Sequence, residues 1–362
     1  MTRSFQKKLF LCLNYGSSNL KYAFFRGFEE IEEGKRLLEG EGSLREALMS
    51  LKDRRPHVIL HRVVHGMDLR SPLKVDKESL PLLEKLSKMD PLHNALALKG
   101  IDLCLELFPE SFQYAVFDTD FHKSMPEYAR AYGLDYKLYL QGIKRYGFHG
   151  LSYSYLLRRS KELLREEKPN LIMLHLGAGC SACVVKKGIS VDTSMGYSPV
   201  EGLLMQTRPG DIDAGVLLEL LRSGATYEEL ERILYRASGF RALGGVSDFQ
   251  ELLKKRHEDG RAELAYEVFL YRLLKYVGFY WFVLEGQLDA LVFSGGIGEN
   301  SPQLRKDLCN RLTFLGLRLD PRANEENREV ISSDESTFKV FVIKTKEELE
   351  MLHIYAEATT SE

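Results

Sequence analysis

The chain has 362 residues, 44% of them hydrophobic, which is enough for about two domains with buried cores. Its formal net charge of −2 gives no field that would recruit nucleic acid or an acidic membrane surface, so neither is an expected partner. The five cysteines, an odd number lying mostly in apolar runs, indicate reduced thiols and a cytoplasmic protein.

The first predicted element is a pair of strands joined by a glycine-serine turn, in LFLCLNYGSSNLKYAFFR. Small side chains and free backbone N–H groups at this turn suit a phosphate, with Asn14 before the turn and Lys21 after it. An ordinary hairpin is the alternative interpretation. The opening run MTRSFQKKLFLCLN has too short an apolar core for a signal peptide. Residues 28–54 are polar and predict edge structure and a solvated helix.

Two buried strands that follow each carry a charged residue near or just beyond their ends. HVILHRVVHG predicts a strand in which Arg62 requires a partner, either a ligand or a structural carboxylate. His61 and His65 have zinc-ligand spacing for a helix, but this run is strand-like and lacks the HExxH glutamate. YAVF ends at Asp118, where α/β proteins keep catalytic groups and where turn residues are also common.

The middle of the chain repeats the design of its beginning. Phe148–His149–Gly150 precedes a charged helix, where a histidine caps or packs more often than it reacts. NLIMLHLGAGCSACVVKKGIS then gives strand, glycine turn and strand again, with His175 in the place of Asn14. This repeat implies two similar domains with a cleft between their turns. Cys180 and Cys183 form a CxxC, but they lie in an extended run without a second pair, which argues against a metal or redox site.

The most distinctive stretch is DTSMGYSPVEGLLMQTRPGDIDAG, which places Arg208 on a turn before Pro209 and Gly210. A guanidinium there suits a clamp for phosphate or carboxylate, whereas a surface ion pair is the plainer interpretation. Asp211 and Asp213 either orient the arginine or cap the next helix, and we favour the first role for Asp211. That helix is predicted to end at Gly224.

The last third contains three further motifs and an apolar helix. ASGFRALGGVSDFQ predicts a glycine-broken loop, and LDALVFSGGIGENSPQLRK predicts a strand, a glycine turn and a helix opened by Ser301 and Pro302. In FKVFVIKTKEELEML, Glu347 and Glu348 open a terminal helix, either complementing its dipole or binding Mg²⁺. Residues 265–284 are apolar but carry charges, so they predict a buried or interface helix rather than a membrane span.

Together these motifs resemble the acetokinase family of the actin-like phosphotransferase superfamily. The resemblance runs in order from Asn14 to Glu348 and rests on NYGSSNLK, HRVVHG, PLHN, VFDTDFH, YGFHG, HLGAG, DTSMGYSPVEGLLMQTRPGDID, SDF and SGGIGENS. It implies an α/β fold with two ribonuclease-H-like domains around a central cleft, and a homodimer. The expected domains are 1–121 plus 349–362, closed by the C-terminal helix, and 122–348, which binds the nucleotide.

The same resemblance implies a reaction and the residues that serve it. The reaction is reversible transfer of the ATP γ-phosphoryl group to acetate, giving acetyl phosphate and ADP, with Mg²⁺ or alternatively Mn²⁺. The implied catalytic residues are Arg62, Asp118, His149 and Arg208, the two arginines coming from opposite domains. The implied acyl-site residues are Arg62, Val64, Leu92, Phe148 and Pro199, and the implied metal-site residues are Asn14 and Glu347. The implied nucleotide-site residues are Lys21, His175, Gly177, Gly179, Asp248, Phe249, Gly296, Ile297 and Asn300.

Several positions depart from the usual family pattern, and most lie at the expected nucleotide site. They are Asn19, Leu151, Tyr153, Ala178, Cys180 and Gln250. Base selectivity therefore stays open, as do a pyrophosphate-dependent enzyme and a non-catalytic nucleotide-binding relative. Propionate and other short-chain acids are alternative substrates, although the bulk of Val64 favours acetate.

Overall fold

The computed structural model describes residues 5–16, 18–40, 42–87 and 94–360. Its strands are β1 (Leu9–Gly16), β2 (Asn19–Arg26), β3 (Glu29–Leu37), β4 (Val58–Val63), β5 (Leu73–Lys74), β6 (Phe112–Phe117), β7 (Leu171–Leu176), β8 (Cys180–Lys186), β9 (Ile189–Thr193), β10 (Ala290–Ser294) and β11 (Lys339–Val342). Its helices are α1 (Ser43–Met49), α2 (Leu80–Ser87), α3 (Asn94–Leu107), α4 (Glu127–Arg130), α5 (Tyr136–Leu140), α6 (Gly150–Leu164), α7 (Ala214–Arg222), α8 (Tyr227–Arg236), α9 (Gly239–Gly244), α10 (Phe249–Lys255), α11 (Gly260–Val283), α12 (Gly295–Asn300), α13 (Pro302–Asn310), α14 (Pro321–Glu325) and α15 (Glu347–Thr360). Short 3₁₀ turns complete the regular structure, one of them at Asp118–Ser124.

Internal contacts divide the chain into two compact units. Unit 1 comprises Met1–Lys123, His149–Tyr155 and Lys346–Glu362, and unit 2 comprises Ser124–Phe148 and Leu156–Thr345. The contact division assigns the start of α6 to unit 1, whereas the sequence prediction put residues 122–348 in one domain. The predicted domain boundaries stay a prediction.

The two units contain sheets of the same design, which confirms the predicted duplication and the α/β class. In unit 1 the strand order is β3-β2-β1-β4-β6-β5. In unit 2 it is β9-β8-β7-β10-β11, written so that β9, β8 and β7 correspond to β3, β2 and β1. In each sheet three antiparallel strands are followed by two strands parallel to the third, and in unit 1 the short β5 adds an antiparallel edge strand beside β6. The hairpin β1–β2 thus corresponds to β7–β8, as the repeated strand–turn–strand pattern predicts.

Apolar content explains why β1, β4 and β7 lie inside their sheets. Each is buried along most of its length, as expected for strands covered on both faces. In unit 1 one core cluster joins the sheet to α1, α2 and α3, and a second joins its other face to α15 and the start of α6. The run at 28–54 forms the edge strand β3, as predicted, and the helix α1, which is not fully solvated because Leu44, Ala47 and Leu48 pack into the core.

The apolar segment 265–284 forms most of α11, which packs on β7 and β8 of unit 2. Its inner face is buried, with Phe269 near the rings of Phe240 and Phe249. On its other side Phe279 and Phe282 are exposed. None of the helices in the described part of the chain has the length and apolar character needed to span a bilayer.

Two expected loops are short helices instead. GGIGEN, predicted as a glycine turn, forms α12, and part of the predicted glycine-broken loop forms α9. The reason is that glycines take up the bends at the helix ends: Gly295 has φ +76° and Gly239 has φ +75°, and an added Cβ at either would meet backbone oxygen within 2.6 Å. The Glu299 carboxylate accepts a hydrogen bond from Gly295 N at 2.9 Å, which favours helix directly after the bend.

Candidate active site

Arg62 and Asp118 form a buried, two-pronged ion pair at one edge of the unit 1 sheet. Arg62 Nε donates to Asp118 Oδ1 at 3.2 Å, and Nη2 donates to Oδ2 at 2.7 Å. The two residues meet because β4 and β6 are parallel neighbours whose carboxyl ends lie at the same edge. The Asp118 side chain is only 1% exposed, so the pair is largely removed from solvent. Arg62 therefore has the partner that its apolar strand required.

The same guanidinium connects this pair to β1 and to the start of α15. Arg62 Nη1 donates to Asn14 Oδ1 at 3.2 Å and to Glu347 Oε2 at 2.5 Å. Asn14 Nδ2 in turn donates to Glu347 Oε2 at 3.0 Å and to Glu348 Oε1 at 3.3 Å. Four residues predicted separately from distant motifs thus share one hydrogen-bonded cluster. Glu348, which the sequence analysis paired with Glu347 as a dipole-complementing or Mg²⁺-binding residue, is its fifth member.

This cluster carries more negative than positive charge. Burial raises the pKa of Asp118, while Arg62 opposes that rise. Burial, followed by the neighbouring Glu347, also raises the pKa of Glu348. Burial alone would lower the pKa of Arg62, but Asp118 and Glu347 hold it above its ordinary value. One guanidinium thus faces three acidic side chains, an arrangement that a cation would relieve.

Oxygen atoms dominate the cluster, and that is the donor type preferred by Mg²⁺. No group of three or more His, Cys, Asp or Glu side chains with metal-binding geometry occurs among the residues that the structure describes. Mg²⁺ usually takes only one or two protein carboxylates and completes its shell with water and phosphate oxygens. Asn14 and Glu347 therefore fit a partial protein ligand set rather than a closed cage.

His149 lies at the N-terminal end of α6, where the chain touches Asp118. Its φ of +58° is unusual for a residue with a side chain, and its carbonyl accepts a hydrogen bond from Tyr153 N at 3.0 Å. A Cβ added at Gly150 would lie 1.7 Å from the Asp118 carbonyl oxygen. The backbone N–H of Leu151 donates to the Asp118 carboxylate, which lowers its pKa. The start of α6, which follows His149, thus lies against Asp118 and stabilises its charge.

The close approach at Gly150 predicts a strong effect of one methyl group. We expect Gly150→Ala to lower the free energy of unfolding by about 1–3 kcal/mol, because the backbone of Asp118 must move. Gly260→Ala is a matched control, since Gly260 also opens a helix and an added Cβ there meets nothing within 4 Å. Urea unfolding of both variants measures the difference. Equal stabilities would show that the contact at Gly150 is not restrictive.

Arg208 lies in an irregular segment of unit 2, as its turn sequence predicts. Its Nη1 donates to the carbonyl oxygen of Pro199 at 2.9 Å. Gly210 has φ +70°, and a Cβ there would come within 2.4 Å of the Gly202 carbonyl oxygen. The segment therefore folds back on itself, with Arg208 and Pro199 in contact.

Asp211 makes contacts within its own loop and with α11, and its favoured role of orienting Arg208 stays a prediction. Its N–H donates to the carbonyl of Gly202, and its Oδ1 accepts from Gly202 N at 3.0 Å. Its carboxylate also accepts from Tyr276 Oη at 3.0 Å and is paired with Arg272 and Lys275 of α11. Asp211 thus fastens the loop to itself and to α11. The helix cap is Asp213, whose side chain accepts from the backbone N–H two residues later at 2.7 Å.

A pocket of about 370 Å³ in unit 2 collects most of the predicted nucleotide-site residues. It is lined by Gly177, Ala178, Gln206, Phe240, Asp248, Phe249, Gln250, Leu253, Gly296, Ile297, Asn300 and Ser301. A Cβ added at Gly296 would meet nothing within 4 Å, so the backbone of α12 is open to the cavity. Asp248 caps α10 through Glu251 N at 2.9 Å, and the ring of Phe249 is mostly buried. The sequence did not single out Gln206 or Phe240.

Other predicted residues lie elsewhere. His175 is at the end of β7, next to the glycine turn, in which Gly177 N donates to the Gly179 carbonyl at 3.0 Å. Lys21 is paired with Asn14 across the β1–β2 hairpin of unit 1. The Cys180 thiol donates to the Gly177 carbonyl at 3.2 Å, and burial raises its pKa to about 12, so it remains protonated.

The predicted acyl-site residues are divided between the units. Val64 is half-buried directly after β4 in unit 1, whereas Phe148 and Pro199 belong to unit 2 and are buried. Leu92 lies outside the described residues. Their common role stays a prediction.

Comparison with known proteins adds independent information. The sequence profile of the Acetokinase family matches residues 43–353. An acetate kinase of Synechococcus sp. is 43% identical over 319 residues, covering 86% of this chain and 78% of that protein.

Two solved structures are similar over nearly the whole chain. A propionate kinase from Francisella tularensis has a TM-score of 0.89 at 34% identity, covering 96% of this chain and 98% of that one. An acetate kinase from Porphyromonas gingivalis has a TM-score of 0.86 at 33% identity, covering 98% and 99%. With the family profile matched over most of its length, the chain belongs to the acetokinase family.

Proposed function

We propose that this protein is an acetate kinase, which transfers the γ-phosphoryl group of ATP reversibly to acetate and forms acetyl phosphate and ADP. The observation that carries the proposal is the family match over residues 43–353. The buried cluster around Arg62 and the pocket of unit 2 support it, because they supply a fixed guanidinium beside oxygen donors suited to a metal, and a nucleotide-sized cavity.

In this proposal the chain contributes charge and alignment rather than a covalent group. Acetate is already an anion, so its oxygen attacks the γ-phosphorus without losing a proton, and the bond to the ADP oxygen breaks. Its difficulty is repulsion by the phosphate, which Arg62, Arg208 and His149 offset by donating to the carboxylate and to the transferring group. Asp118 keeps the Arg62 fork in a fixed orientation through two hydrogen bonds.

Mg²⁺ is the proposed metal, with Mn²⁺ as an alternative, and Asn14 and Glu347 would hold it. When bound, the ion neutralises phosphate charge. The acidic excess of the cluster supports this assignment. The Glu347 carboxylate raises the pKa of both Asp118 and Glu348, and a bound cation would offset this repulsion. Arg62 already engages Glu347 Oε2, so it fixes the orientation of that carboxylate.

ATP is proposed to occupy the pocket of unit 2, with the glycine turn at Gly177 near its phosphates. Backbone N–H groups of such a turn bind phosphate without a large side chain in the way. Ile297 and the edge of Phe249 offer an apolar surface for a base, with the buried Phe240 behind them, and Gln250 offers an amide at the same pocket. Lys21 and His175 keep their predicted nucleotide roles as part of this proposal.

A coupled assay tests the function directly. ATP, GTP and pyrophosphate are each combined with acetate, propionate and butyrate, with and without Mg²⁺. We expect the highest kcat/KM with ATP and acetate, and a loss of product when the metal is chelated. Absence of product above background with every pair would contradict the proposal and favour a non-catalytic nucleotide-binding protein.

Propionate is a second candidate substrate, favoured by the structural similarity to the F. tularensis propionate kinase. One methylene group changes binding in an apolar pocket by only about 1–3 kcal/mol, so both acids can react. Val64, directly after β4, is a predicted acyl-site residue, and its branched side chain favours the smaller acid, acetate. A higher kcat/KM for propionate than for acetate in the same assay would reverse this assignment.

We also propose a cytoplasmic homodimer. Large apolar side chains are exposed on unit 2, where a second copy of the chain would cover them: Tyr128, Leu140, Leu218, Phe279 and Phe282. All five cysteines are unpaired and buried, consistent with a reducing compartment. Sedimentation equilibrium measures the assembly, and a monomer at micromolar concentration would contradict it.

A further inference from the structure

We propose that Arg145 is a positioning residue that fixes the backbone of residues 193–201 and, through Pro199, the side chain of Arg208. This inference rests on the proposed function, because it assigns Arg145 an effect on the catalytic role of Arg208. Arg145 itself belongs to none of the predicted site residues. Its contacts carry the inference.

Arg145 binds three successive carbonyl groups with one nitrogen. Its Nη1 lies 3.0 Å from the carbonyl oxygen of Thr193, 3.2 Å from that of Ser194 and 3.1 Å from that of Met195. Carbonyls that converge on one donor define the path of the chain after β9. The Arg145 side chain is only 16% exposed, so water competes poorly for these bonds.

The second terminal nitrogen of the guanidinium, Nη2, binds Glu201 at the far end of the segment. Arg145 Nη2 donates to Glu201 Oε1 at 2.5 Å, and Tyr132 Oη donates to Glu201 Oε2 at 2.6 Å. Tyr132 Oη also accepts from Tyr197 N at 2.8 Å. A Cβ at Gly196 would come within 1.7 Å of Glu201 Oε2, so only glycine permits this approach. The segment is therefore held at both ends and near its middle.

The fixed segment contains the residue that Arg208 touches. Pro199 lies between the Tyr197 and Glu201 anchors, and its carbonyl accepts from Arg208 Nη1 at 2.9 Å. Loss of the Arg145 contacts would release that carbonyl and with it the preferred orientation of the Arg208 fork. Arg145, Glu201 and Pro199 are not among the residues that line the proposed nucleotide pocket. Loss of the Arg145 contacts should therefore leave the affinity for the nucleotide unchanged.

Arg145→Met and Arg145→Lys test this arrangement, with Arg159→Met as the matched control. Arg159 is an ion-paired arginine of unit 2 whose partners are Glu162 and Glu329. We expect Arg145→Met to lower kcat by about 10²-fold, as a small misplacement of a catalytic group can do, with KM for ATP changed less than twofold. Lysine should rescue little, because an ammonium has no fork to span Glu201 and three carbonyls.

A double-mutant cycle with Arg208→Ala identifies the route of the effect. If Arg145 acts through Arg208, the variant that combines both changes is no slower than Arg208→Ala alone. Additive losses, or a rise in KM for ATP that matches the fall in kcat, would overturn the proposal. Tyr132→Phe provides a milder probe should Arg145→Met not fold, with the same cycle and the same criteria.

Hydrogen exchange provides a readout that does not depend on kinase activity. Arg145→Met should increase amide exchange at residues 193–208 more than at α10 and α12, and Arg159→Met should not. Unchanged exchange at 193–208 would overturn the positioning role even if the wild-type protein is an active kinase. Faster exchange at 193–208 in a protein without kinase activity would support the positioning contacts and reject the proposed function instead.

Discussion

Replacing Arg208 with alanine is expected to lower kcat by a factor on the order of 10³–10⁵, the range for an arginine that stabilises a transferring phosphoryl group. The protein should remain folded, because the Arg208 side chain is only half-buried and lies in an irregular segment, where it donates to the backbone carbonyl of Pro199. KM for ATP should change much less, because Arg208 does not line the pocket of unit 2. The coupled assay gives kcat, and thermal unfolding gives the state of the fold.

Arg222→Ala is the control for this variant. It removes the same charge from unit 2, but Arg222 is exposed and pairs with Glu219 of its own helix. Its kcat should equal that of the wild type. Near-wild-type turnover in Arg208→Ala would remove Arg208 from the active site and would undermine the proposed mechanism.

Arg62→Met is expected to abolish activity and to lower the free energy of unfolding by about 3–5 kcal/mol, the cost of leaving a buried charge without its partner. The carboxylate of Asp118 loses two hydrogen bonds and Glu347 loses one. Methionine fills most of the space left by the side chain, so the missing charge rather than a cavity dominates the loss. Urea unfolding measures it.

The pH dependence of this variant has a definite sign. Burial already raises the pKa of Asp118, and Arg62 opposes the rise, so its removal raises the folded-state pKa further. Between the unfolded and the folded pKa the native state holds more protons, and stability therefore falls as pH rises through that window. Arg62→Met should thus be least destabilised at acidic pH, below the unfolded pKa of the aspartate.

Arg45→Met is the matched control in unit 1. Arg45 forms an exposed ion pair with Glu106, and such solvent-screened pairs contribute little to stability. The prediction would be contradicted if Arg62→Met lowered the free energy of unfolding no more than Arg45→Met does. A decrease that does not depend on pH would also show that the buried ion pair does not stabilise the fold.

Much of the site could be predicted because its parts have local signals. Arg62 stands out as a charge in an apolar strand, and Asp118 as an acid at a strand end. The parallel order of β4 and β6 then brings the two together. The repeated strand–turn–strand pattern predicted the two sheets in the same way, since period and turn chemistry are properties of short segments.

The remainder depends on contacts between distant segments, which no single segment encodes. GGIGEN has the composition of a turn. The change of chain direction, however, takes place at Gly295, which has a positive φ, and the residues after it form a helix. Asp211 has several suitable neighbours in sequence, yet its partners Arg272, Lys275 and Tyr276 come from α11. Leu92 lies outside the described residues, so the wall it was predicted to supply stays a prediction.

The two sheets share a topology but differ in the charge at their strand ends. In unit 1, strands β4 and β6 end near Arg62 and Asp118, whereas β10 and β11 of unit 2 end at Ser294 and Val342, which are uncharged. At the end of β10 the Glu299 carboxylate accepts hydrogen bonds from Ser294 Oγ at 3.4 Å and from Gly295 N at 2.9 Å. At the unit 1 edge, by contrast, Asp118, Glu347 and Glu348 gather around Arg62, and this acidic excess attracts a cation. Duplication of one fold thus permits a division of labour: one copy can specialise in cations and small acids, and the other in a large polyanion.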